Sequence, residues 1–209
     1  MDMPPMLDAS SDPLPFQHWI IEGVLSATPE MVTAAAQAFP KDTCTDMQTM
    51  PQAVLEVMLP MMTNEFAKEL GELLGMDGLV PDHWDFKLEA MRRWESVRPY
   101  LERTHAQNGM ERAAVMIVFL NELWPEEWGG GLELWSLKPP GPVKTIFPHL
   151  GRTVILTNGW DSYHGVSPIS PRATMSRNTL AIFYLRPDSG GPRREKALFI
   201  PVRETVNNA

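Results

Sequence analysis

From residue 51 to residue 75 the apolar side chains recur at helical spacing, first at Val54, Leu55 and Met58 and then at Met62, Phe66, Leu70, Leu73 and Leu74. This is the stripe that a helix buries against a core. Pro60 has no amide hydrogen to give a helix interior and breaks or kinks the run, so the pattern predicts two helices. Upstream, Thr28-Pro29-Glu30 offers an N-cap with proline at the first helical position, which predicts a helix over 29–39 that Phe39-Pro40 ends. Phe16 to Leu25 alternates as a short strand does. From residue 85 the period becomes two, with Phe86, Leu88 and Ala90 set against Lys87, Glu89 and Met91. Further strands are predicted at 97–105, 113–120, 131–135, 143–147, 152–157, 162–166, 178–185 and 197–201. They are separated by turns such as Gly129-Gly130-Gly131, Pro139-Pro140-Gly141-Pro142 and Gly190-Gly191-Pro192. Helices first and short strands afterwards imply an α+β chain, mainly β, in which N-terminal helices buttress one face of a jelly-roll barrel.

The chain of 209 residues is expected to form a single domain over 1–209. Its barrel core is expected at 85–201, and 1–14, rich in Pro, Asp and Ser and without periodicity, as a flexible N-terminal segment. With 44% hydrophobic and 21% charged residues the composition is that of a globular core and excludes a disordered chain. The longest unbroken apolar stretch, Ala113 to Leu120, is far short of the roughly 20 residues a membrane-spanning helix needs. The Met-Asp-Met-Pro-Pro start has no positive-then-apolar secretory pattern, and the single Cys44 closes no internal disulfide. A cytoplasmic setting is the expectation. Residues 1–171 carry 11 basic and 23 acidic side chains and residues 172–209 carry 7 and 3, so the body stands at −12 and the tail at +4. An acidic body repels a phosphate backbone, and neither a nucleic-acid nor a membrane partner is expected.

Five histidines are present, at 18, 83, 105, 149 and 164. His105 ends a predicted strand and His164 sits at a glycine-broken strand edge in Ser162-Tyr-His164-Gly-Val166. Two neutral imidazoles on neighbouring strands can converge on a metal, although a histidine that satisfies a local hydrogen bond is the commoner case. Other chemistries find little support. Cys44 has no neighbouring histidine, and Ser162-Tyr-His is not a nucleophile elbow. Gly129-Gly130-Gly131 is followed by neither a Lys-Ser/Thr pair nor a helix, so it reads as a turn and not a phosphate cradle. The Lys138-Pro-Pro-Gly-Pro run reads as a rigid loop.

The surrounding motifs add more. Phe119-Leu-Asn-Glu-Leu-Trp-Pro-Glu-Glu-Trp-Gly-Gly-Gly-Leu-Glu-Leu-Trp135, Gly151-Arg-Thr-Val-Ile-Leu156, Ser162-Tyr-His-Gly-Val166 and Ser176-Arg-Asn-Thr-Leu-Ala-Ile-Phe-Tyr184 follow one another in order. In words and order they resemble the iron- and 2-oxoglutarate-dependent oxygenases of the prolyl-hydroxylase-like group. Pro15 to Glu22 is similar to the opening strand of that family, and Leu88 to Leu101 to the hairpin before its first metal ligand. The resemblance runs over about 15–186. It implies a double-stranded β-helix, iron(II) with 2-oxoglutarate and O2, and oxidation, most directly hydroxylation, of an unactivated C–H bond of a small molecule, amino acid or peptide. Matched position by position, it implies His105 and His164 as iron ligands and Arg177 as the residue holding the distal carboxylate of 2-oxoglutarate, where a guanidinium fork forms charge-assisted bonds.

One departure from the family pattern stands out. Its His-x-Asp reads His105-Ala106-Gln107 here, and an amide oxygen is a poorer iron ligand than a carboxylate. Gln107 then ligates iron through its amide, leaves the position to water or an anion, or marks a disabled site. The alternatives to hydroxylation are accordingly a non-catalytic binding module that keeps the barrel, or a halogenase-like enzyme, although such halogenases carry a small residue at this position. Asp85 in His83-Trp84-Asp85 restores the spelling but lies before the hairpin and is read as a decoy, and Glu111 is a nearer carboxylate that could fold back.

Overall fold

In the computed structural model, which describes residues 11–200, β1 (Ser11–Asp12) and β2 (His18–Glu22) precede three helices, α1 (Pro29–Gln37), α2 (Gln52–Met61) and α3 (Asn64–Leu74). The remaining strands follow in order: β3 (Val80–Met91), β4 (Val97–Leu101), β5 (Glu111–Phe119), β6 (Leu132–Leu137), β7 (Pro140–Ile146), β8 (Arg152–Thr157), β9 (His164–Val166), β10 (Arg177–Arg186) and β11 (Leu198–Phe199). The helix signals act as read. The Thr28 hydroxyl accepts from the Met31 amide. Pro60 lies in the last turn of α2, and Thr63 caps a fresh start by accepting from the Phe66 amide at 3.1 Å. Gly75 ends α3 with φ of 65°, a left-handed conformation that glycine adopts without a Cβ penalty.

The strands form two antiparallel sheets, ordered β1-β2-β8-β5-β10-β3 and β11-β4-β9-β6-β7. Alternation gives the larger sheet two different faces. Ala114, Met116 and Val118 of β5, with Leu180, Ile182 and Tyr184 of β10, pack against Val54, Met58, Met61 and Leu70 of the helices. The Tyr184 hydroxyl donates to the Met61 carbonyl at 2.8 Å, so the one polar atom on that ring is paired. On the opposite face Val115 and Phe119 of β5 and Val154 and Leu156 of β8 meet Leu132 and Leu134 of β6 and Ile146 of β7 across the gap between the sheets. The result is the predicted α+β, mainly β architecture, a double-stranded β-helix with helices buttressing one side. Each large side chain buried in these clusters contributes roughly 1.5–3 kcal/mol. Among the described residues no helix is long and apolar enough to cross a membrane.

Several boundaries differ from the sequence expectation: β3 starts at Val80, and Pro140-Gly141-Pro142, read as a turn and rigid loop, pairs with Leu137, Ser136 and Trp135 as the start of β7. The segment 1–14 was expected to be flexible, yet Ser11 and Asp12 pair with Trp19 and His18 as an edge of the larger sheet; its first ten residues, and residue 201 of the expected core, lie outside the described residues. β1 and β2 therefore join the barrel that was expected to start at residue 85. The strand predicted over 97–105 stops at Leu101, because the chain beyond it leaves the sheet for a hairpin in which Thr104 accepts from the Arg112 amide and Met110 from the Ala106 amide.

Candidate active site

Between the sheets lies a cavity of about 450 Å³. Its walls come from the inward parity of β3, β5 and β10 (Lys87 and Glu89, Val115 and Ile117, Thr179 and Phe183) and from β4 and β9 opposite. The same alternation that places Phe86 and Leu88 against the helices thus turns charged residues of β3 inward.

Arg177, the first residue of β10, is a guanidinium buried to 2% exposure. Its Nε donates to the Gly130 carbonyl at 2.6 Å, and its Cζ stands 5.1 Å from the centroid of the Phe119 ring. The Gly129-Gly130-Gly131 turn makes that contact possible. Gly129 and Gly130 have φ of 68° and 69°, and a Cβ on Gly131 would come within 2.4 Å of Thr145 Cγ2. Burial pushes the Arg177 pKa down to about 10, with Glu89 opposing the shift, so the group remains a cation at neutral pH. Among the described residues no carboxylate lies within ion-pair distance of it.

His164 opens β9 and faces the same cavity. Its Nδ1 lies 2.9 Å from the Ser162 carbonyl, which fixes the proton on that nitrogen and leaves Nε2 as a free lone pair, the orientation in which a histidine ligates a metal. Burial lowers its pKa and keeps the ring neutral, against the raising effect of the Ser162 bond. Directly across the β4–β9 pairing stands Tyr100, ring centroids 4.6 Å apart. Gly165 lets the two strands close, since a Cβ there would lie 2.6 Å from the Val97 carbonyl oxygen. Two residues on, Glu102 lines the cavity from the same side. Burial raises the pKa of both: the Tyr100 phenol strongly, helped by the Glu102 and Glu89 charges, and the Glu102 carboxyl against the pull of the Arg103 amide and nearby cations.

His105 and Gln107 are not brought to this cavity, which corrects the reading of them as partners of His164. His105 sits in the hairpin beyond the barrel edge, with Nδ1 2.8 Å from the Thr104 hydroxyl and Nε2 3.3 Å from Asp188 Oδ1. Gln107 lies at the hairpin tip, and both residues line a separate surface hollow beside Arg193 and Arg194. The physical reason is that β4 ends at Leu101 and the chain then turns out of the sheet into the hairpin, so that of residues 100–107 only Tyr100, Glu102 and Arg103 line the cavity. Of the two other carboxylates weighed, Asp85 lines the cavity but accepts from both Arg103 and Arg112. Glu111 turns away to Arg186, whose Nε donates to it at 2.9 Å.

Beside the His164 imidazole the donors this cavity offers a metal are therefore the Glu102 carboxylate and the Tyr100 phenol, its other carboxylates, Asp85 and Glu89, being paired with Arg103 and Arg112 and with Lys87. Among the described residues no group of three His, Cys, Asp or Glu side chains is placed to hold a metal ion. Tyr100 was missed because a tyrosine on a strand reads as core, yet the i, i+2 pair Tyr100 and Glu102 on a predicted strand was a visible signal. Imidazole, carboxylate and phenol oxygen are all ligands that iron accepts, one imidazole short of the set common in non-haem iron oxygenases.

The family profile of the 2OG-Fe(II) oxygenase superfamily matches residues 75–185. No curated protein matches the sequence. Among solved structures, a viral collagen prolyl hydroxylase of Paramecium Bursaria Chlorella virus-1 superposes with a TM-score of 0.57 at 14% identity, over 90% of this chain and 100% of that one. A Pseudomonas putida prolyl-4-hydroxylase gives 0.51 at 16% identity, over 84% and 87%. HygX of Streptomyces hygroscopicus, solved with nickel and 2-oxoglutarate bound, gives 0.53 at 11% identity, over 82% and 83%. At these identities the likeness is one of fold.

Proposed function

The chain belongs to the 2OG-Fe(II) oxygenase superfamily and is a non-haem iron, 2-oxoglutarate-dependent dioxygenase, and from that premise we propose that it hydroxylates an unactivated C–H bond of a small molecule, amino acid or peptide side chain in the cavity between its sheets. The observation that carries this reading is the placement of Arg177. A fully buried guanidinium without a carboxylate partner among the described residues needs an anion, and it faces the cavity that holds the free Nε2 of His164.

In this reading Arg177 takes the distal carboxylate of 2-oxoglutarate, with its orientation locked by the Gly130 carbonyl and the Phe119 face. His164 and Glu102, with Tyr100 beside them, hold iron(II). When bound, iron(II) supplies oxygen activation, coupled to decarboxylation of 2-oxoglutarate to succinate and delivery of one oxygen atom to the substrate. The protein's own contribution is positional. The Ser162 carbonyl holds the His164 tautomer, the neutral ring keeps its lone pair, and the apolar wall of Val115, Ile117 and Phe183 excludes water from the reacting carbon.

The test is substrate-dependent succinate release. Purified protein with iron(II), 2-oxoglutarate and O2 is offered panels of peptides, amino acids and small metabolites. Release stimulated by one class supports the reading. If Arg177→Ala binds 2-oxoglutarate as tightly as the parent protein, the assignment of this cavity is wrong.

A further inference from the structure

A second buried guanidinium enters the same cavity. Arg112, near the start of β5, has a side chain only 2% exposed, with its Cζ 4.0 Å from the centroid of the Phe183 ring. Simple alternation from Val115 would turn Arg112 toward the helices. The β5–β10 register instead shifts between Tyr184, opposite Ala114, and Leu185, opposite Arg112. This bulge reverses the parity and aims the side chain inward, a recurrent use of β-bulges beside binding sites.

The guanidinium is only partly occupied. Its Nη2 donates to Asp85 Oδ2, an oxygen that Arg103 Nη2 also uses. Nη1 makes no hydrogen bond among the described residues and has Glu102 Oε1 3.8 Å away. Lys87 pairs with Glu89 at 2.5 Å. Arg112 Nε is buried without a hydrogen-bond partner among the described residues, and Asp85 is shared between Arg103 and Arg112. Asp82, behind it and outside the cavity lining, is held by the amides of Trp84 and Asp85. Two of the three guanidinium nitrogens of Arg112 therefore make no hydrogen bond among the described residues of the cavity wall, and buried donors left unmet are costly until a ligand accepts from them.

We propose that Arg112 anchors a carboxylate on the molecule that is oxidised, so that the substrate class is a small monocarboxylate with an apolar body. This rests on the reading of the cavity as the oxygenase site. The planar fork of a guanidinium matches a carboxylate, and Val115, Ile117 and Phe183 line the cavity beside it as an apolar wall. A cavity of about 450 Å³ shared with 2-oxoglutarate admits a small molecule and not a folded chain.

The probe pair is 3-phenylpropionate and its neutral isostere 3-phenylpropionamide, titrated calorimetrically into the full-length protein with and without saturating 2-oxoglutarate. The expected result is acid bound at least roughly ten-fold tighter than amide, a preference lost in Arg112→Gln and reduced but not abolished in Arg112→Lys, which keeps the charge without the planar fork, with 2-oxoglutarate affinity unchanged in both. Thermal melts of the variants separate a folding defect from a lost contact, and the lysine variant keeps the test alive if the glutamine variant fails to fold. Equal binding of acid and amide, no binding of the acid at millimolar concentration, or a preference that survives in Arg112→Gln overturns the proposal. Failure of 2-oxoglutarate to bind the parent protein counts instead against the oxygenase reading of the cavity, and the acid-to-amide ratio measured without cosubstrate still decides the role of Arg112.

Discussion

Tyr100 and His164 face each other across the β4–β9 pairing, and this register, not the spelling of the histidine motif, decides which residues meet in the cavity. It follows that His164→Ala and Glu102→Ala weaken iron(II) binding. Removing even a group that merely orients a metal ligand costs 10–100-fold in affinity, so losing a donor is expected to cost roughly as much or more. Gln107→Asp, which restores the family's carboxylate at the spelled position, is expected to leave affinity unchanged because that residue lies in the hairpin tip. Anaerobic calorimetry with and without 2-oxoglutarate checks both. A clear gain in the Gln107→Asp variant would return the site to His105 and Gln107.

The second prediction concerns Arg177 and the turn that holds it. A hydrogen bond to a charged group contributes about 1.5–3 kcal/mol, so Arg177→Ala is expected to raise the 2-oxoglutarate Kd by roughly 10- to 100-fold. Gly130→Ala acts on the same contact from behind. A Cβ at Gly130 would stand 3.3 Å from Arg177 Cδ, 3.0 Å from Trp124 and 3.1 Å from Ile169, on a backbone with φ of 69°. Weaker 2-oxoglutarate binding and a lower melting temperature are both expected, and fluorescence titration with a thermal scan reads them together.

Much of this was legible in the chain. Period two in residues 85–91 and helical spacing in 51–75 gave sheet and helices because each pattern reports a buried face directly. Arg177 and His164 were legible because they sit inside sequence words that the family resemblance carries. Tyr100, Glu102 and Arg112 were not, and each for a physical reason. The first two stand at the end of β4, just before the chain leaves the sheet and carries His105 away from the cavity, a break that the spelling His-x-Gln does not reveal. Arg112 faces inward only because of a bulge at the β5–β10 register, and alternation taken from the sequence assigns it to the opposite face.

Trp94 carries a stability prediction. It is the one non-glycine residue with positive φ among the described residues, at 73°, and its side chain is 72% exposed in the turn between β3 and β4. A left-handed conformation costs a residue with a Cβ roughly 1–2 kcal/mol, and exposure leaves little packing to lose. Trp94→Gly is expected to stabilise the protein by up to about 1 kcal/mol once the greater freedom of glycine in the unfolded chain is subtracted. Urea unfolding measures it, and a loss of stability would show that the indole packs in a way its exposure conceals.

The pH dependence of stability follows from His18, which is fully buried beside Phe16 in the N-terminal sheet edge. Burial lowers its pKa, and this outweighs the raising effects of the Phe16 carbonyl 2.8 Å from Nδ1 and of Asp12. A histidine depressed in the folded state binds more protons when unfolded, so it favours folding above its ordinary value of about 6.5 and loses that contribution as pH falls through the folded value. The melting temperature is therefore expected to drop between pH 7.5 and 5. His18→Asn, which cannot take up a proton there, is expected to melt lower at pH 7.5 and to show a smaller drop. A variant whose drop matches that of the parent protein would assign the acid sensitivity to another group.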